Sequence, residues 1–414
     1  MVQEFKKVGV VGLGTMGAGI VEVFARAGFA VTGVEIDDAA LDRGRGHLEK
    51  SLGKALGKGK ITEEEHGAIL ARLTFTTSRE DLRDADFVVE AVPERMDIKR
   101  DVFADLDRIC PPGTILATNT SSLSVTEIAA LTTRPDKVVG LHFFNPAPVM
   151  KLAEVVGTVL TAPGTIQIAT EVAKRIGKTP VTVSDRAGFV ANALLVPYIN
   201  DAVKAYERKY ASREEIDASV TAAAGLPMGP LALADLVGLD VCLAVMDVLW
   251  DEFREQRYVA APLLRRMVAA GLLGRKSGRG FYDHSGAEDP AEEVPQGPIA
   301  TKLRDAADKA SPSLSGLLLA PHINDAMTMI AQGYASAEDV DTAMRFGCGY
   351  PKGPVELLEE IGVERVAEDY FHCINGGLIP FAMVCGLILD RLPEVDEDCA
   401  DGECCGGPEH PTAS

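Results

Sequence analysis

The stretch Leu141-His-Phe-Phe-Asn-Pro-Ala-Pro-Val-Met-Lys-Leu-Ala-Glu154 brings a histidine and a carboxylate into one short segment. His142 follows Lys137-Val-Val-Gly140, an apolar run of strand length. That predicts a position just past a strand's carboxyl end, where open α/β sheets hold their ligands. Histidine titrates near neutrality and can exchange a proton with an alcohol when a partner holds one ring nitrogen in the right tautomer. Glu154 is the candidate partner, able to orient the imidazole and to stabilise its cation. A lone histidine beside a strand is more often a hydrogen-bonded structural residue, so its surroundings have to decide.

A second feature lies near the N-terminus. Lys7-Val-Gly-Val-Val11 is a short β-branched strand, followed without a gap by Gly12-Leu-Gly14-Thr-Met-Gly17 and then by Ala18 to Ala27, of helical length and free of proline. Strand, tight turn and helix in that order are what a dinucleotide fingerprint requires, because the helix's free amides then face a pyrophosphate. Gly12 permits the turn, Gly14 lets the backbone approach the phosphates, and Gly17 lets helix and strand pack closely. The next strand, Ala30 to Val34, ends at Glu35. An acidic residue roughly 20 positions after the fingerprint accepts hydrogen bonds from ribose hydroxyls and repels a 2′-phosphate, so NAD is expected rather than NADP.

A chain of 414 residues is too long for one ordinary core and suggests two or three domains. Nearly half the residues are apolar and no apolar run reaches transmembrane length, which reads as a soluble globular protein. The first strand begins too early to leave room for a signal or transit peptide, and cytoplasm is the expectation. A formal charge of -20 argues against nucleic acid or an anionic membrane as a partner. An anionic ligand would need a local basic patch, and the predicted helix from Leu41 to Glu65 offers one. Lys50, Lys54 and Lys58 share a face there, with Arg43, Arg45 and Lys60 nearby, although a solvated face is the plainer explanation of such a run. The eight cysteines lack the repeated close pairs of a zinc ribbon and read as reduced structural thiols. Cys399, Cys404, Cys405 and His410 could in principle bind a soft metal, but their short spacing, glycines and acidity read as a disordered tail, and no metal site is expected.

Four motifs in one order carry a resemblance. Asn119-Thr-Ser121-Ser-Leu, His142-Phe-Phe-Asn145-Pro, Lys151-Leu-Ala-Glu154-Val and Gly188-Phe-Val-Ala-Asn192 make the chain similar to the 3-hydroxyacyl-CoA dehydrogenases, including the bacterial 3-hydroxybutyryl-CoA dehydrogenases. The likeness runs from near Lys7 to near Pro393. It implies an active-site set of Ser121, His142, Glu154 and Asn192, with Ser121 and Asn192 also on the substrate. It further implies coenzyme A contacts at Ser51 and Lys58, and cofactor contacts at Glu94, Lys99, Asn145 and Lys276. Ser121 or Ser122 could instead cap the helix that contains Glu127, and Asn192 could make an interhelical hydrogen bond.

The expected architecture is α/β plus all-α: a Rossmann-type doubly wound sheet over 1–186, a helical domain over 187–284, a linker over 285–300, a second helical copy over 301–392 and a tail over 393–414. The copy is visible as a repeat. Val196-Pro-Tyr-Ile-Asn-Asp-Ala202 returns as Ala320-Pro-His-Ile-Asn-Asp-Ala326, Tyr210-Ala-Ser as Tyr334-Ala-Ser, and Gly225-Leu-Pro-Met-Gly-Pro230 as Gly349-Tyr-Pro-Lys-Gly-Pro354. One offset serves all three, and 16 of the 43 positions from Val196 to Gly238 are identical. Gly316 stands where Asn192 stood, so the copy is not expected to be catalytic. Members of the resembled family with one helical domain pair through it as two-fold dimers, and here one chain carries that surface twice. The expectation is a monomer with an internal pseudo-dimer, or else a homodimer.

Two rival functions remain at this level. One is a dehydrogenase of a free hydroxy or sugar acid, or of a carrier-protein-bound hydroxyacyl group. The other is a non-catalytic NAD-binding protein of the lens-crystallin or regulatory kind, which would need none of Ser121, His142, Glu154 and Asn192.

Overall fold

Eight short β-branched runs pair side by side in the computed structural model, which describes residues 5–286, 313–375 and 385–391. They are β1 (Lys7–Val11), β2 (Ala30–Val34), β3 (Leu73–Thr76), β4 (Phe87–Glu90), β5 (Ile115–Thr118), β6 (Val138–Phe143), β7 (Leu152–Gly157) and β8 (Thr179–Ser184). The sheet order is β3-β2-β1-β4-β5-β6-β7-β8, parallel throughout except where β6 meets β7. The order reverses between β1 and β4, which opens a crevice at their carboxyl ends. Helices α1 (Thr15–Arg26), α2 (Asp38–Gly57), α3 (Glu63–Leu70), α4 (Met96–Ile109), α5 (Val125–Ala130) and α6 (Pro163–Arg175) connect the strands. Alternate side chains of the central strands fill two cores, one against α1, α2 and α6, the other against α4 and α5.

Two sequence expectations fail here. The basic helix does not run to Glu65: α2 stops at Gly57, and Thr62 starts α3 with a reciprocal capping box to Glu65. Lys58 therefore lies past the helix end and does not extend the face of Lys50 and Lys54. The strand before His142 also runs further than the apolar Lys137-Val-Val-Gly140 suggested. It continues to Phe143 because β7 pairs with Gly140 through Phe143, so His142 sits inside β6.

The helical part follows as α7 (Ala191–Glu207), α8 (Arg213–Ala224), α9 (Pro230–Val237), α10 (Leu239–Phe253) and α11 (Pro262–Ala269), then α12 (Leu314–Ala331), α13 (Ala337–Cys348), α14 (Pro354–Ile361), α15 (Val363–Asn375) and α16 (Gly386–Leu389). The repeat read from the sequence is a repeat in three dimensions. α8 and α13 end on left-handed Gly225 and Gly349. Asp217 accepts the amides of Leu231 and Ala232, and Asp341 those of Val355 and Glu356. Asn200 accepts the amide of Ala261, and Asn324 that of Cys385 at the same offset, so the repeat continues to α11 and α16, past the last recognisable motif. A Cβ on Gly316 would fall 2.1 Å from Asp369 Oδ2, which explains the loss of asparagine there. The proposed linker beyond residue 286 and the cysteine-bearing tail lie outside the described residues. Among the described residues no helix is long and apolar enough to cross a membrane, and no group of three His, Cys, Asp or Glu side chains could hold a metal ion.

Candidate active site

His142 and Glu154 are direct cross-strand partners on antiparallel β6 and β7. Opposed residues on adjacent strands lie close enough for side chains to meet, and here the imidazole Nδ1 stands 2.7 Å from Glu154 Oε2. Glu154 is wholly buried, and its other oxygen accepts the amides of Val190 (3.1 Å) and Ala191 (3.0 Å) at the start of α7. Helix amides stabilise an ionised carboxylate, and an ionised Glu154 fixes the proton on Nδ1. That leaves Nε2 as the ring atom to exchange a proton with a ligand. Phe144 lies edge-on to the imidazole at 4.7 Å and Phe189 tilts against it at 5.5 Å, so the ring is held in place. The amides reach Glu154 because the turn from β8 to α7 carries Gly188 and Phe189 at φ 71 and 49, a left-handed pair that bends the chain back onto β7.

The loop after β5, which carries Ser121, is held by a hub the sequence did not reveal. Glu94 Oε1 accepts from Thr120 Oγ1, the Ser121 amide, and the Ser122 amide and hydroxyl. Burial opposes its ionisation, but the Lys99 ammonium and these hydrogen bonds outweigh it and hold the carboxyl below its ordinary range. Lys99 is itself buried on Glu90, at 2.7 and 2.9 Å, and 3.4 Å from Glu94. Lys99 thus braces Glu94 from within the core. Ser124, not Ser121 or Ser122, caps α5. Asn119 Oδ1 accepts the amide of Phe143 at the end of β6, and Asn145 follows two residues later in a cis peptide to Pro146. Asn192 is half-buried in the first turn of α7, next to the Ala191 amide.

The glycine loop fits a dinucleotide. Gly12 has φ +90, and a Cβ there would meet the carbonyl of Ala91 at 2.7 Å; one on Gly17 would meet that of Gly12 at 1.8 Å. Gly14 has nothing within 4 Å, leaving its side of the loop open for phosphates. Glu35 lines the cleft and accepts the amides of Leu13 (2.7 Å) and Ile36 (2.9 Å), one on each oxygen, which leaves both oxygens with further acceptor capacity. The cleft of ≈ 870 Å³ takes in Gly12, Gly14, Glu35, Arg43 and Ile36, whose side chain is left 82% exposed as an apolar wall. Ser51 is half-buried on α2 and Lys58 exposed beyond it. Lys276 is in the helical part on Asp240, and the cleft is lined only from Val11 to Ile109.

Comparison with known proteins gives the family. The NAD-binding domain of 3-hydroxyacyl-CoA dehydrogenase matches residues 7–186, and its C-terminal domain matches twice, over 188–284 and 317–371. The chain belongs to the 3-hydroxyacyl-CoA dehydrogenase family. It is an oxidoreductase acting on a CH–OH group, with NAD as cofactor. It is 51% identical over 279 residues to 3-hydroxybutyryl-CoA dehydrogenase of Clostridioides difficile, covering 67% of this chain and 99% of that protein. It is 34% identical over 441 residues to 3-hydroxyadipyl-CoA dehydrogenase of Escherichia coli, covering 88% of this chain and 93% of that one. A crystal structure of 3-hydroxybutyryl-CoA dehydrogenase from Escherichia coli superposes with a TM-score of 0.86 at 32% identity, over 94% of this chain and 98% of that one.

Proposed function

We propose that the chain oxidises the 3-hydroxyl of an acyl-CoA, and reduces the 3-oxo group in reverse, with His142 as general base and acid and Glu154 as its partner. The observation that supports this most is the in-register His142–Glu154 contact whose far oxygen rests on the α7 amides. In the forward direction His142 Nε2 removes the hydroxyl proton while C3 gives up its hydride and the C–O bond becomes a carbonyl. NAD, when bound, supplies the acceptor for that hydride. Glu154 stabilises the imidazolium that forms, and acid–base help of this kind contributes roughly 10²–10⁴-fold. Ser121 and Asn192, on the loop after β5 and in the first turn of α7, are assigned to the reacting oxygen or the thioester carbonyl, where fixed donors favour developing charge. Gly12, Gly14, Gly17, Glu35, Glu94, Lys99, Asn145 and Lys276 are assigned to the cofactor side, Ser51 and Lys58 to coenzyme A.

NADH absorbance with acetoacetyl-CoA, set beside free 3-oxo acids and a carrier-bound thioester, tests the substrate class. Turnover confined to the coenzyme A thioester supports the reading; faster turnover of a free acid favours the rival dehydrogenase, and none at all the non-catalytic one. A second acyl group belongs in the assay. One relative, matched over 88% of this chain, is named for 3-hydroxyadipyl-CoA, so a dicarboxylic acyl-CoA is set beside the short-chain substrate. The division of the chain into 1–186, 187–284 and 301–392 is the working one, and a cytoplasmic monomer, with a homodimer as the alternative, is the state we infer.

A further inference from the structure

The helical copy without a catalytic asparagine still reaches the active site. α13 lies on β7 and β8, and its last turn meets the strand that carries Glu154. A Cβ on Gly347 would stand 2.6 Å from Leu152 Cδ2 and 3.6 Å from both Phe144 Cε1 and Ala191 Cβ. Gly347 is an ordinary helical residue, so a side chain there is limited by space and not by backbone conformation, and would displace the buried Leu152 methyl. Each neighbour is one contact from the catalytic pair. Leu152 is fully buried on the same face of β7 as Glu154, the Phe144 ring lies against His142, and the Ala191 amide binds Glu154. The repeat supplies an internal control: the matching position of the first copy is Ala223, which is exposed on α8. The methyl is missing only where a sheet is met. Burial pushes the thiol of the adjoining Cys348 up, and the charge of Glu154 adds to it, so that carboxylate is within electrostatic reach of α13.

The corner between α12 and α13 holds the segment between β8 and α7. The Tyr334 carbonyl accepts the amide of Ser184 at 3.0 Å, and Gln332 Oε1 accepts from Arg186 Nη1 at 3.1 Å. The Arg186 guanidinium lies between the rings of Tyr334 and Phe253, 4.1 and 4.3 Å from their centres. These contacts clamp the turn that presents the Val190 and Ala191 amides. It contains Phe189 in a left-handed conformation that a side chain adopts only when its surroundings hold it.

We propose that the second helical copy is a positioning element of the active site, with Gly347 and the Gln332–Tyr334 corner fixing Phe144 and the α7 amides, and through them His142 and Glu154. This rests on the assignment of His142 and Glu154 as the acid–base pair. The test uses full-length Gly347→Val, Gly347→Ala and Gln332→Met, with His142→Gln alongside. kcat, KM, the pH dependence of kcat/KM, thermal midpoint and NADH binding by fluorescence are measured for each. Gly347→Val should lose at least about tenfold in kcat while binding NADH normally, because small misplacements of reacting groups are costly. Gly347→Ala and Gln332→Met should lose less, and the acid limb of the pH profile should move by about half a unit in all three. Adding Leu152→Val to Gly347→Ala, which removes the crowded methyl, should recover activity. Should Gly347→Val not fold, the other two variants decide. Wild-type kcat and an unmoved pH profile in folded Gly347→Ala and Gln332→Met overturn the proposal, as does a loss that only follows the thermal midpoint. Full turnover in His142→Gln would instead overturn the assignment of the pair.

Discussion

Tyr198 and His322 occupy the same place in the two helical copies and touch each other, their ring centroids 5.1 Å apart. Equivalent residues meet in this way on a two-fold axis, and here the axis lies within one chain. α7 packs on α12, α8 on α12 and α13 on α7, the reciprocal contacts of an isologous interface. Beside the rings, Arg257 is buried between Asp201 and its repeat counterpart Asp325, bonded to both carboxylates. Arg257 thus ties the two equivalent acids of the two copies together, and Lys204 adds a second cation beside Asp201.

This packing predicts the effect of removing the second copy. Ending the chain at Pro298 should expose the apolar face of α7 and leave Asp201 and Arg257 without Asp325. Because obligate interfaces of this kind bury roughly 2,000 Å² or more, the shortened chain should dimerise, aggregate or misfold. Size-exclusion chromatography with light scattering, run beside the whole protein, checks this. A well-behaved, active monomer would show that the copy does not stand in a partner's place.

His322 makes the same interface sensitive to acid. Burial lowers its pKa to about 4, whereas an unfolded imidazole takes its proton near the ordinary value of about 6.5. Between these values the unfolded state binds more protons. The stability His322 permits is therefore complete above about pH 6.5 and falls as pH falls through that window. His322→Leu, similar in volume and unable to titrate, should flatten the loss of thermal midpoint between pH 7 and pH 5. Equal losses in the variant and the wild type would rule the histidine out as the cause.

Glu35 gives a prediction about cofactor choice. Its carboxylate rests on the Leu13 and Ile36 amides beside the open Gly14. Glu35→Ala should weaken NAD and relax discrimination against NADP, read as the ratio of the two kcat/KM values. A wild-type enzyme that already favours NADPH would remove the ribose argument.

Much of this was written in local patterns. The strand–glycine–helix order was enough to read the first crossover, and the helix after Gly14 forms where its proline-free run lies. The repeat was legible because turn and cap residues such as Gly225, Asp217 and Asn200 keep their types when core residues drift. One failure was local: the break after Gly57 is marked by glycines and by the Thr62–Glu65 capping box, which the run of basic residues obscured. The others depended on distant pairing. His142 was set beyond its strand because the run before it gives no sign that β7 returns antiparallel to extend β6. Glu94 as the hub of the Ser121 loop, Lys99 buried on Glu90, and the reach of Gly347 to Leu152 all join segments that only the folded chain brings together.

The central claim is that His142, held by Glu154, moves the proton of the hydroxyl group. The most direct measurement is steady-state turnover of acetoacetyl-CoA by purified His142→Gln, with NADH binding and thermal midpoint confirming an intact fold. A fall in kcat of at least about 10²-fold is predicted, and Glu154→Gln should fall by a comparable factor. Near-normal turnover by a folded, NADH-binding His142→Gln would contradict the account.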